Sequence, residues 1–116
     1  MMPGDLMKMG NRRVIYVAGA FRAPTYYEQH KNILRAEEVT FNLISSGFAP
    51  ICPHKITENF QGSYPDKLFL DICKAWLRKS ECIFMMKGWR NSLGSVEEHE
   101  LAIKMGIPIY YEEEEK

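Results

Sequence analysis

Met85-Met86-Lys87-Gly88-Trp89-Arg90-Asn91-Ser92-Leu93-Gly94-Ser95-Val96-Glu97-Glu98-His99-Glu100-Leu101-Ala102 is the stretch around which the rest of the chain arranges itself. The apolar run Cys82 to Met86 reads as a strand. It empties into a polar, glycine-containing loop, and the loop feeds a helix with three glutamates. At roughly 100° per residue, Glu97, Glu100 and Lys104 share one side of that helix as a solvated face. Glu98 falls on the other side, in line with Leu101, Ala102 and Met105 at the i, i+3, i+4 and i+7 spacings of a buried stripe. A carboxylate on an inward face near a helix start calls for a partner or a task. One ordinary explanation is available. Ser95-Val96-Glu97-Glu98 has capping-box spacing, so Glu98 could simply cap Ser95. The alternative is a nucleophile or general base kept ionised by the helix N-terminus.

Upstream, Arg13 to Ala18 is a β-rich run closed by Gly19, the first strand. Thr25-Tyr26-Tyr27-Glu28 has capping-box spacing and opens a helix that should stop at Gly47. Phe48 to Cys52 is a second strand, and its Pro50 points to an edge position. The segment from Pro53 to Tyr64 reads as a long polar loop of the kind that is more often functional than spare. Ser63-Tyr64-Pro65-Asp66 offers another helix start, with Ser63 as N-cap. Its helix would set Lys67, Asp71, Lys74 and Arg78 against Leu70, Cys73, Trp76 and Leu77. After the central stretch, Gly106 ends the last helix and Ile107 to Tyr111 makes a fourth strand.

Strands and helices therefore alternate three times, which implies an α/β domain with a parallel sheet. Right-handed crossovers and an edge-like second strand favour the order 2-1-3-4. This is a doubly wound, flavodoxin-like sheet of about four strands with three helices. Ligands in such sheets bind at the carboxyl ends of strands where the order reverses, here between strands one and three. Gly19 to Arg22, His54 and Lys87 to Glu98 should meet there.

The totals fit one domain. The chain has 116 residues, 46% hydrophobic and 26% charged, with formal net charge zero and a pI near 6.8. Wrapping nucleic acid needs a clustered positive excess, so no nucleic-acid partner is expected. Cys52, Cys73 and Cys82 lack paired-ligand spacing, and neither a disulfide framework nor a metal site is expected. No apolar run approaches membrane-spanning length and no signal-peptide core is evident, so a cytoplasmic protein without a membrane partner is expected. Residues 1–12 read as a flexible leader, 13–111 as the domain, and 112–116 as a solvated acidic tail.

Several other residues could carry chemistry, each with a plainer role beside it. Ser92, Gly94 and Ser95 could hold a phosphate through hydroxyls and helix-terminal N–H groups, or merely cap a turn. Arg22 could pair with the same anion or stay solvated. The Tyr16 hydroxyl could touch Glu98, or Tyr16 could be core. Trp89 could stack on a base or lie over the loop as a lid. His54 could bind ligand or tie a loop. Asp71 is a carboxylate near the crevice, but charge pairing with Lys67, Lys74 and Arg78 would account for it.

Tyr16-Val17-Ala18-Gly19 with Arg22, then Gly47, Pro50 and Pro53-His54, then Ser92-Leu93-Gly94 with Glu98, Ala102 and Gly106-Ile107-Pro108 form a pattern. It resembles the nucleoside 2-deoxyribosyltransferase superfamily, which includes 2′-deoxynucleoside 5′-phosphate N-hydrolases. The similarity spans roughly residues 13 to 111, and the loop Gly88-Trp89-Arg90-Asn91-Ser92-Leu93-Gly94 resembles that of a small, often phage-borne branch. The resemblance implies cleavage or exchange of an N-glycosidic bond without a cofactor, with Glu98 attacking C1′ of the sugar. Tyr16 then corresponds to a tyrosine that hydrogen-bonds near the nucleophile, and Arg22 and Ser92 to residues holding base and 5′-phosphate. It also implies a nucleoside or nucleotide ligand and a homodimer or larger homo-oligomer. The assisting aspartate of that superfamily falls at Cys73, with Asp71 an approximate substitute. A nucleotide-binding protein that senses or sequesters without turnover is the alternative.

Overall fold

In the computed structural model, which describes residues 9–60 and 63–112, four parallel strands lie in the order β2-β1-β3-β4. They are β1 (Val14–Ala18), β2 (Ala49–Ile51), β3 (Cys82–Met85) and β4 (Ile109–Tyr111). Four helices join them: α1 (Tyr26–Ser45), α2 (Pro53–Thr57), α3 (Asp66–Arg78) and α4 (Leu93–Met105). The expected order and α/β class are therefore present.

Side-chain alternation along β1 divides the core in two. Ile15 and Val17 face α1 and pack with Ala36, Val39 and Leu43. Tyr16 and Ala18 face the other layer and pack with Leu77 and Ala102. The same alternation that buries β1 on both faces thus delivers Tyr16 to the side occupied by α3 and α4. Pro50 sits on the edge strand beside Ile15, where a missing N–H costs no second ladder.

Local signals set most boundaries. Thr25 Oγ1 accepts from Glu28 N (3.1 Å), starting α1 as its capping spacing requires. Ser46 follows as C-cap, and Gly47 takes φ +98°. Gly106 closes α4 in the left-handed region.

Four expectations need correction. The first concerns the loop after β2. Pro53–Thr57 is helical and Glu58–Phe60 adds a 3-10 turn, giving four helices instead of three. Pro53 lies in the first turn, where its fixed φ and absent N–H suit a helix start. The second concerns α3, which begins at Asp66 with Pro65 as N-cap and no side-chain cap, so Ser63 does not open it. A residue before proline is pushed out of the helical region, so Tyr64 cannot serve as first helical residue.

The other two concern the ends. Arg12 is docked: its guanidinium donates to the carbonyls of Ile44 (2.9 Å) and Phe48 (2.8 Å), capping the open end of α1. Glu112 is likewise held. Its N–H donates to Met85 O (2.9 Å), and its carboxylate accepts from Arg35 (2.6 Å) and Lys87 N (2.7 Å). The rest of the expected leader up to residue 8, and of the acidic tail from 113, lies outside the described residues.

Candidate active site at the sheet reversal

A cavity of about 790 Å³ opens at the carboxyl end of β1, walled by the loop after β1, α2, α3, Asn91 and the start of α4. Most of the residues singled out in the sequence line it: Tyr16, Gly19, Arg22, His54, Asp71, Ser92, Gly94, Ser95 and Glu98.

Glu98 is its floor. The side chain is 6% exposed, and the Tyr16 hydroxyl donates to Glu98 Oε2. The capping explanation is overturned by where α4 begins. Ser92 is the N-cap, and its Oγ accepts from Ser95 N (3.3 Å). This register places Ser95, Glu98 and Ala102 at i, i+3 and i+7, all buried and all inward. Glu98 is consequently in the second turn, beyond the strongest reach of the helix dipole. Burial pushes its carboxyl up to about 7, against the opposing pull of the Tyr16 hydroxyl and the Lys74 charge. The expectation that the helix terminus keeps it ionised does not hold; desolvation dominates. Tyr16 is driven well above its ordinary range, first by burial and then by Glu98, so it remains a donor.

The loop after β1 is held in place by contacts on either side. His54 is buried in α2, with Nε2 3.0 Å from Ala20 O and its ring stacked on Phe21 at 5.1 Å. Bonding to a carbonyl oxygen requires the proton on Nε2. Burial lowers the His54 pKa, so the ring is a neutral donor that fixes the loop. Asn32 Nδ2 donates to Phe21 O (3.1 Å) from the other side. Gly19 is needed for close approach: a Cβ there would lie 2.8 Å from Met86 Cβ.

At the cavity mouth Arg22 pairs with Asp66 (2.7 Å) and lies over the rings of Phe21 and Phe69. Deeper in, Ser95 is 2% exposed, and its Oγ has no hydrogen-bond partner among the described residues. An orphaned buried hydroxyl in a cavity wall is the kind of group a ligand satisfies. Ser92 and the first amides of α4 lie beside it.

Residues 13–111 match the family described as a domain of unknown function, DUF4406. The chain belongs to the DUF4406 family. No curated protein matches it. In this DUF4406 chain, two expected site residues stand elsewhere or differently. Trp89 does not line the cavity. It is buried in the core with Leu77 and Ala102, stacks on His99 at 4.3 Å and carries Arg90 at 4.6 Å on its ring. The 3-10 turn Trp89–Asn91 points it away before α4 begins. Asp71 lies in the cavity wall but is exposed, and the charge pairing expected for it is not made with Lys74, which bonds Glu97 instead (2.7 Å).

The sequence also undersold Cys73. It reads there as one member of an apolar stripe, yet its thiol lines the DUF4406 cavity beside Tyr16 and Glu98. Burial, then the Glu98 charge, push it up to about 11, so it is protonated at neutral pH. Among the described residues, no group of three or more His, Cys, Asp or Glu could hold a metal ion. No described helix is long and apolar enough to cross a membrane.

Proposed function

We propose that this protein cleaves, or exchanges, the N-glycosidic bond of a nucleoside or nucleoside 5′-monophosphate, in the manner of the nucleoside 2-deoxyribosyltransferases that its motifs resemble. The observation that carries the proposal is Glu98: a buried carboxylate with one oxygen held by Tyr16, at the floor of a cavity large enough for a nucleotide. In the ionised form a Glu98 oxygen attacks C1′ of the sugar. The C1′–N bond breaks, its electron pair leaves with the base, and a glycosyl ester remains. Water or a second base then attacks C1′ and releases the carboxylate, as in retaining glycoside hydrolysis. Tyr16 orients the nucleophile. A 5′-phosphate held by Ser92, Ser95 and the α4 amides, with Arg22 turning to it from Asp66, favours the hydrolase slightly over the transferase. Three free cysteines fit the reducing cytoplasm in which we place this activity.

Incubation with a panel of deoxynucleosides and their 5′-monophosphates, followed by chromatography for free base, tests this directly. Arg22→Ala is expected to weaken monophosphate binding about tenfold, the loss of one charge-assisted contact, and to leave the nucleoside unchanged. Equal affinities in parent and variant would mean the phosphate lies elsewhere. A second reading has its own observation. A neutral thiol, Cys73, stands where the resembling enzymes carry an assisting acid, so a nucleotide-binding protein without turnover uses the same residues. Ligand-induced rise in melting temperature with no base released is its signature.

A further inference from the structure

The face of α1 turned away from the sheet is not a typical solvated surface. Tyr27, Leu34 and Phe41 are 68%, 48% and 47% exposed. They recur every seven residues, and at roughly 100° per residue they stay within about 20° of one line. The stripe runs roughly 20 Å along a helix about 30 Å long. A ridge of large apolar side chains at this spacing has the form of a helix-pairing seam.

The charges beside the ridge specify what would cover it. Lys31 and Glu38 lie on one flank, and His30 and Glu37 on the other. In each pair the cationic or titratable partner sits toward the N-terminus and the carboxylate toward the C-terminus. Leu34 is the midpoint of the ridge. Rotating the helix by a two-fold axis through Leu34 puts Tyr27 against Phe41, and brings Lys31 opposite Glu38 of the second copy. On the other flank His30 comes opposite Glu37 of the second copy. Antiparallel helices meet flank to like flank, so both flanks are complementary to themselves. Parallel pairing would meet flank to unlike flank and set Lys31 near His30 and Glu38 near Glu37 of the second copy.

We infer that α1 is a self-association surface on which a second copy of this chain docks antiparallel, about a two-fold axis at Leu34. Isologous contact of one patch with itself is the commonest way soluble chains pair. The neighbours are compatible with it. Lys31 Nζ rests 5.5 Å over the Tyr27 ring, which lays its stem along the ridge. Lys55 holds Glu37 at 2.7 Å from α2, so the Lys31–Glu38 flank carries the stronger orientation signal. No α1 residue lines the cavity, so the site stays open in the dimer. The helix reaches the site through Asn32, which holds the loop carrying Arg22, and through Glu37, which holds Lys55 of the wall helix α2.

Sedimentation velocity of the whole protein over a concentration series tests the surface, with circular dichroism to confirm that each variant is folded. The parent is expected to sediment as a dimer that weakens at higher salt. Leu34→Glu sets two carboxylates against each other on the axis and should weaken association about a hundredfold or more. Glu38→Lys alone should also weaken it, and Lys31→Glu with Glu38→Lys should restore it. A parent that stays monomeric at every concentration overturns the inference, and so does a dimer indifferent to Leu34→Glu. A double charge reversal that fails to rescue overturns the antiparallel register.

Discussion

Glutamine in place of Glu98 is expected to lower base release at least about a thousandfold, since a nucleophile has no substitute, and at the same time to make the protein more stable above neutral pH. The two effects share one cause. Glu98 sits near 7 in the folded protein against 4.5 for the free side chain, because burial penalises its charge. Between those values the folded protein keeps a proton that the unfolded chain has released. Stability therefore falls as pH rises through this window, by about 3 kcal/mol in total, and the loss is complete above pH 7. Glu98→Gln carries no such penalty. It should match the parent at pH 4 and exceed it by about 3 kcal/mol at pH 8 in chemical denaturation. Parent activity should climb with pH through about 7 as the carboxylate forms. A parent whose stability is flat between pH 4.5 and 8 would mean that Glu98 is better solvated than its burial indicates. Base release that survives the substitution would remove Glu98 from the chemistry.

Gly19→Ala is expected to cost about 1–3 kcal/mol, a large effect for one methyl group. The added Cβ would lie 2.7 Å from Met86 Sδ and 2.8 Å from Met86 Cβ. The sulfur could swing aside, but the Cβ is fixed to the backbone just past β3, where the Met86 N–H donates to Ala18 O (2.8 Å) at the end of the register from Ile15↔Cys82 to Ala18↔Met85. Relief requires the two central strands to part at their carboxyl ends, under the floor of the cavity. Thermal unfolding measures the loss, and binding of a nucleoside monophosphate should weaken with it. A variant as stable as the parent would show that the strand ends have slack.

The fold was legible because its signals are local and agree with one another. Thr25 caps Glu28, Gly47 and Gly106 stop helices, Pro50 marks an edge, and alternation in β1 marks a strand buried on both sides. The second helix was not, since Pro53-His54-Lys55 reads as a polar break until the chain's path shows the proline in a first turn. The site was legible in its residues more than in its reasons. Ser92 and Ser95 both offer a cap, and local spacing cannot choose between them. Tertiary packing chooses, because only the Ser92 start turns Ser95, Glu98 and Ala102 inward together. The same limit hid the destination of Trp89, whose ring is claimed by His99 across a turn that composition does not reveal.

The clasp formed by Glu112 has a consequence for how the molecule breathes. One carboxylate joins Arg35 of α1 to the Lys87 amide at the exit of β3, while its own amide closes the last rung of β4. A three-residue edge strand would ordinarily fray independently of a helix on the sheet face. Here neither can loosen without releasing the same side chain. Helix α1, the β4 edge and the start of the loop leading to α4 are thereby tied through one side chain, and hydrogen exchange is expected to show them opening together.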